Sequence, residues 1–217
     1  MKKMFWILII IVFSLNLSGS YTCNEEDLYK SVNSIIDFSE NGLKLSYSTN
    51  KNLKEILESV NNLNLFYLED ILKAEDVLGT NFYFEKSDYS KSIKILIGKE
   101  KQKQNYNVEI EIIDKEDLIN ISLLKKELNK LLSDACSFNY FTFIKGKLEN
   151  QSNDELEDNL FNILDCYNIQ NKSSILLENG LTGIFTVQKK LKFNYSIMNY
   201  NDGTYLIVGS PIIFITY

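Results

Sequence analysis

Three stretches of the chain alternate their side chains with a period of two. Ile93, Ile95 and Ile97 alternate with Ser92, Lys94 and Leu96; Val108, Ile110 and Ile112 with Glu109 and Glu111; Leu191, Phe193, Tyr195 and Ile197 with Lys192, Asn194 and Ser196. Strands that hide one face and wet the other belong to an antiparallel sheet, because parallel strands are buried on both faces and read as continuous apolar runs. Asn201-Asp202-Gly203 supplies a tight hairpin turn from the Leu191 strand into residues 204–208. The closing segment from Ile212 to Tyr217 reads as one further strand.

Segments of helical period stand between the strands. Asn24 caps a helix expected over 25–38, with Leu28, Val32, Ile35 and Ile36 on one side. Asn52 and Glu55 form a capping box for a helix over 53–62, whose apolar side is Leu53, Ile56, Leu57 and Val60. A longer helix is expected over 116–135 with Leu124, Leu128, Leu131 and Leu132 inward. A fourth, over 153–167, starts at Ser152 with Glu155 closing its capping box, and carries Leu156, Leu160, Ile163, Leu164 and Tyr167. Helices and antiparallel strands in these runs predict an α+β fold.

The order of elements repeats at an offset near one hundred residues. Ile56, Val60 and Leu63 fall on Leu156, Leu160 and Ile163, while Ile93, Ile95 and Ile97 fall on Phe193, Tyr195 and Ile197. No Pro/Gly/Ser-rich linker divides the chain, so 21–217 reads as one domain with a pseudo-repeat of 41–114 and 138–217. Two related halves would then share one curved antiparallel sheet with helices on one face.

Residues 1–20 stand apart from the fold. Lys2 and Lys3, an apolar run from Met4 to Phe13 and the small cluster Ser18-Gly19-Ser20 have the three regions of a secretory signal, with cleavage expected near Ser20. An uncleaved membrane anchor is the alternative, and lipidation at Cys23 a third, although Ser20-Tyr21-Thr22 departs from a lipobox. In each case the rest of the chain lies outside the cytoplasm, secreted or tethered to the outer face of the membrane. All 23 basic residues are Lys, and there is no Arg or His among the 217 residues. Removing 1–20 leaves 21 Lys against 29 acids, a net charge of −8. That composition excludes His-based triads, His-ligated metals and bidentate Arg clamps.

The C-terminal stretch Val187-Gln188, then Leu191 to Met198, then Tyr205-Leu206-Ile207-Val208-Gly209-Ser210-Pro211-Ile212-Ile213 ending at Tyr217 carries a resemblance. Together with the signal, the length and the two α+β halves, it resembles the YwmB-like family of exported Gram-positive proteins. The resemblance implies a fold similar to the TATA-box-binding protein, a saddle of two halves, and does not supply a catalytic site; no catalytic, cofactor or metal residue is singled out. The motif Gly209-Ser210-Pro211 is its most specific part. Read from the residues, it marks a bulge or kink: Gly209 taking a conformation closed to other side chains, Pro211 fixing φ and giving up a ladder donor.

A saddle that binds DNA needs cationic side chains in the minor groove and apolar wedges. Phe82, Phe84, Phe141 and Phe143 lie in strands, but their period assigns them to the core face, and net charge and the lack of Arg oppose nucleic acid. A hydrolase would need paired carboxylates such as Glu109 and Glu111, which strand alternation already places on a solvent face. No Asp-x-Asp-x-Asp-Gly loop supports calcium. Cys136 and Cys166 flank a strand and a helix, and export permits a disulfide between them; the alternative is two buried thiols acting as small apolar side chains. The reading is of an exported, non-enzymatic envelope protein acting by protein or cell-wall contact, with a carboxylate-dependent wall hydrolase and a DNA-binding saddle as its rivals.

Overall fold

A computed structural model describes residues 24–63, 81–100, 105–149 and 153–215. The elements are α1 (Glu25–Asn33), β1 (Asp37–Thr49), α2 (Leu53–Asn61), β2 (Asn81–Ser87), β3 (Lys91–Lys99), β4 (Tyr106–Asp114) and α3 (Ile121–Leu128). They continue with β5 (Ala135–Leu148), α4 (Asn153–Leu164), β6 (Ile169–Leu177), β7 (Gly180–Val187), β8 (Leu191–Tyr200) and β9 (Gly203–Ser210). The fold is α+β. The nine strands among the described residues form one antiparallel sheet in the order β2-β3-β4-β1-β5-β9-β8-β7-β6. The two longest strands, β1 and β5, make the central seam. On each side of it a meander runs inward from the edge: β2-β3-β4 onto β1, and β6-β7-β8-β9 onto β5.

The period-two residues do what their spacing requires. Leu43, Leu45, Ile93, Ile95, Ile110, Ile112, Tyr195 and Ile197 are all fully buried on one face, where residues from every helix join them. Leu28 and Val32 come from α1, Ile56 and Val60 from α2, Leu124 and Leu128 from α3, Leu156 and Leu160 from α4. Among the described residues the helices therefore cover a single side of the sheet and leave the other without one. Side chains at 56 and 156, and at 60 and 160, occupy this core at matching places in the element order.

Helix starts follow their caps. Asn24 Oδ1 accepts the Asp27 N–H at 2.8 Å, and Asn52 and Glu55 close a reciprocal capping box at 3.0 Å each way. Ser152, the expected cap of α4, lies outside the described residues, as do the signal segment and Cys23.

Helix lengths were overestimated from the periodicity. α1 stops at Asn33, not 38, because Ser34 turns back onto the carbonyls of Ser31 and Val32, and Ile35 and Ile36 reach the core from the connection to β1. The expected helix over 116–135 is α only over Ile121–Leu128 and 3₁₀ over Asn129–Asp134. Its first residues are held in a loop by two buried acceptors: Asp114 takes the N–H groups of Glu116 and Asp117, and Asn41 takes that of Ile119 while donating to the carbonyls of Asp114 and Asp117. Asn120 then caps α3 through the Leu123 N–H. α4 likewise ends at Leu164 and passes into a 3₁₀ turn, Asp165–Tyr167.

Two strand expectations also change. β6 has no counterpart in the periodicity, since Asn171, Lys172, Ser173 and Ser174 bury nothing; it is an edge strand, exposed along most of its length. The expected closing strand from Ile212 is absent through residue 215: β9 ends at Ser210, before a cis Ser210–Pro211 peptide, and residues 211–215 are irregular. The 201–203 hairpin is present, with Gly203 at φ +148° under the Lys147 side chain.

Candidate functional site

The helix-free face of the sheet differs on the two sides of the seam. On the β2-β3-β4-β1 side, register aligns Glu85, Lys94, Glu111 and Lys44 in one cross-strand row, which Phe141 of β5 continues. The neighbouring row is Tyr83, Leu96, Glu109 and Ser46, with Tyr83 and Leu96 exposed. On the other side the row from Glu40 and Lys145 runs through Ile207, Ser196 and Thr182 to Ile175, mostly small and uncharged.

Charges on this face neutralise each other locally. Lys44 Nζ lies 2.8 Å from Glu109, and Lys145 Nζ lies 3.3 Å from Glu40 and 5.3 Å from the Tyr205 ring centroid. Glu111 has its carboxyl raised above the ordinary range, chiefly by partial burial; Lys44 and Lys94 pull it down, and Glu109 and Glu85 push it up. The face is therefore a mixture of ion pairs and exposed aromatic and aliphatic groups, with no block of positive charge to track a phosphate backbone.

The face has a dry spot at the seam, besides Ile207, which is also buried. Gly42, Phe143 and Gly209 lie side by side on β1, β5 and β9. Phe143 is fully buried although it is outside the helix-covered core, because Phe214 stacks on it edge-to-face at 5.2 Å between centroids. Ile213 sits on Gly209, where an added Cβ would come within 3.0 Å of its Cγ1 and of the Thr142 carbonyl. Residues 213–214 thus fold back across the sheet as a short strap.

This corrects two readings of the sequence. Phe82 and Phe84 do join the helix-side core, whereas Phe141 and Phe143 point to the opposite face, since β5 pairs them with Lys44 and Gly42. Gly209 is not in a bulge: its pairings with Phe143 and Asn194 run in unbroken register, and its φ lies outside the left-handed region. It is glycine because a chain crosses directly over it. The kink belongs to Pro211, after the strand has ended.

Ser210 faces a different set of partners. Its backbone N–H donates to the Tyr29 hydroxyl, which is also 2.8 Å from Thr142 Oγ1. Thr142 donates in turn to Glu25, whose other oxygen is 2.6 Å from Lys125 Nζ. Burial first, and then the Glu25 carboxylate, hold the Tyr29 hydroxyl well above the usual phenol range. This network ties α1 and α3 to the middle of β5 and the end of β9. Nothing in the sequence spacing announces it, because Glu25 and Thr142 are 117 positions apart.

Cys136 and Cys166 are both free, exposed thiols, one near the start of β5 and the other in the turn after α4, where its Sγ lies 3.8 Å from the Ile163 carbonyl. They are neither joined nor buried. A cavity of about 720 Å³ opens between the α1–β1 connection and α4, lined in part by Ile36, Asp37, Lys147, Glu149 and Leu156. Its two carboxylates, Asp37 and Glu149, are exposed, and Glu109 and Glu111 are not part of it. Among the described residues no group of three or more His, Cys, Asp or Glu could hold a metal ion, and no helix is long and apolar enough to cross a membrane. The chain matches no protein-family model and no curated protein.

Proposed function

We propose that this chain is an exported, non-enzymatic envelope protein of the YwmB-like type, a saddle of two related halves that contacts a protein or the cell wall through its helix-free face. The observation that carries the reading is that face: nine strands wide, free of helices among the described residues, crossed by the strap over Phe143 and Gly209, and set with exposed Tyr83 and Leu96 among paired charges. Aromatic and aliphatic groups ringed by neutralised charge suit a protein surface better than a polyanion. The duplication is supported by the mirrored strand order about β1 and β5, with β6 as an addition to the second half.

The test uses the full chain, signal segment included, in its own cells. A photo-crosslinking residue at Tyr83 or Leu96 gives a discrete adduct, while one at Lys54, exposed on α2, gives none. Adducts from Lys54 alone, or from neither face, overturn the choice of face. Purified protein incubated with cell-wall sacculi releases no soluble fragments; release abolished by Glu111→Gln would establish the hydrolase instead. A mobility-shift titration with AT-rich duplex gives no salt-sensitive binding.

A further inference from the structure

The two edges of the sheet are built differently. β2 carries Glu85 and Lys86 toward its end, and its one exposed aromatic, Tyr83, donates its hydroxyl to Glu85. β6 ends in Ile175-Leu176-Leu177, which are 68%, 77% and 40% exposed, with Ile184 of β7 half exposed beside them. The one charge on β6, Lys172, lies beside the register shift between Gln170 and Ser173, and its ammonium is turned back over the Phe161 ring at 3.7 Å and lies 3.9 Å from Glu157. Natural sheets guard free edges with charge, proline or bulges, and here only the first half of the edge is guarded. Among the described residues nothing packs on the second half.

We propose that β6 pairs with β6 of a second copy of this chain, antiparallel about a two-fold axis at Leu176, so that the two sheets become continuous. The sequence is self-complementary at that register and no other. Leu176 meets Leu176 of the second copy on the helix side, and Ile175 and Leu177 each meet the other on the helix-free side, so all three apolar residues are covered by apolar residues. One step outward Glu178 already belongs to the turn into β7, so the matched segment is these three residues of each copy. A shift of the axis to Ile175 would put Leu176 against Ser174 and Leu177 against Ser173. The free N–H and C=O groups of the edge supply the hydrogen bonds, as in strand addition generally. This interface is separate from the face proposed for partner contact, and either can fail without the other.

The experiment is sedimentation equilibrium of the exported full-length protein over a thousandfold range of concentration, with cysteine crosslinking in a background where the native thiols are serine. A monomer–dimer equilibrium is expected, with Leu176→Cys oxidising to a dimer readily and Ser173→Cys not. Leu176→Lys opposes two ammonium groups at the axis and weakens dimerisation about 100-fold or more, without lowering the thermal midpoint of the monomer. A protein monomeric throughout overturns the proposal. So does a dimer that Leu176→Lys leaves intact, or one crosslinked by Ser173→Cys in preference to Leu176→Cys. Capture of another protein's strand on β6, with no self-association, also overturns it.

Discussion

The two faces of this sheet reach burial by different means. On the helix side, four helices and alternate residues of the strands fill one core, and a residue such as Ile110 is surrounded by elements from the whole chain. On the other side, Phe143 is equally inaccessible, yet the ring packed on it is Phe214 of an irregular tail, whose neighbour Ile213 sits on Gly209. Equal exposure therefore does not mean equal energetic weight. Removing atoms from the first site leaves a cavity that many elements hold open, whereas the second site can collapse or open with its strap.

Substitution along a single strand puts the largest number on that difference. Ile110→Ala, on the helix side of β4, is expected to lower unfolding free energy by about 2–5 kcal/mol in urea titrations, the usual range for a large-to-small change in a closed core. Ile113→Ala, three residues on and facing the open side, should cost well under half as much. Equal losses would mean that the helix-free face is packed as a second core. The strap comes next: Phe214→Ala should remove an aromatic contact of about 1 kcal/mol, and Phe143→Ala should cost less in that background than alone. Additive effects would show that the tail and Phe143 do not depend on one another.

Gly209 and Ser210 sharpen the comparison further, because adjacent residues of β9 serve opposite faces. Gly209→Ala forces Ile213 or the Thr142 carbonyl to yield, an overpacking cost of about 1–3 kcal/mol, and Ile213→Gly should relieve part of it. Ser210→Ala keeps the N–H that donates to Tyr29 and should change stability by no more than about 0.5 kcal/mol. A large effect of Ser210→Ala would assign its hydroxyl a contact of its own.

What could be read from the sequence depended on how local its cause was. β3, β4 and β8 were visible because alternation needs only neighbours, and the caps at Asn24 and Asn52 because their partners are three residues away. β6 was invisible since an edge strand with no buried side has no reason to alternate. The early end of α1 and the late start of α3 depend on Ser34 and Asn41, the latter reaching 78 positions along the chain. The orientation of Phe143 was misjudged for a related reason. Thr142, Tyr140 and Phe138 share the helix side, so an aromatic run gave no unique phase, and only pairing with Gly42 and Gly209 fixes which alternate set turns inward. The strap over Phe143 is likewise a long-range fact that the apolar spelling of 212–215 imitated as a strand.

The smallest effect concerns how dry the open face is at its charged row. Partial burial holds the Glu111 carboxyl above its ordinary range despite Lys44 and Lys94, so between that range and the raised value the folded protein keeps a proton that the unfolded chain has lost. Stability attributable to Glu111 is therefore full at low pH and declines as pH rises through this window. Glu111→Gln cannot lose a proton there, so variant and parent should unfold alike near pH 4, with the variant the more stable by neutral pH. Urea midpoints measured in steps across that interval isolate the difference from the other carboxylates, which the two proteins share. Lys94→Met removes one of the two ammonium groups that draw Glu111 down and should widen the gap between the profiles. Parallel profiles would mean that Glu111 is solvated like any surface acid. The dry part of the helix-free face would then lie at Phe143 under its strap and at Ile207, away from the charged row.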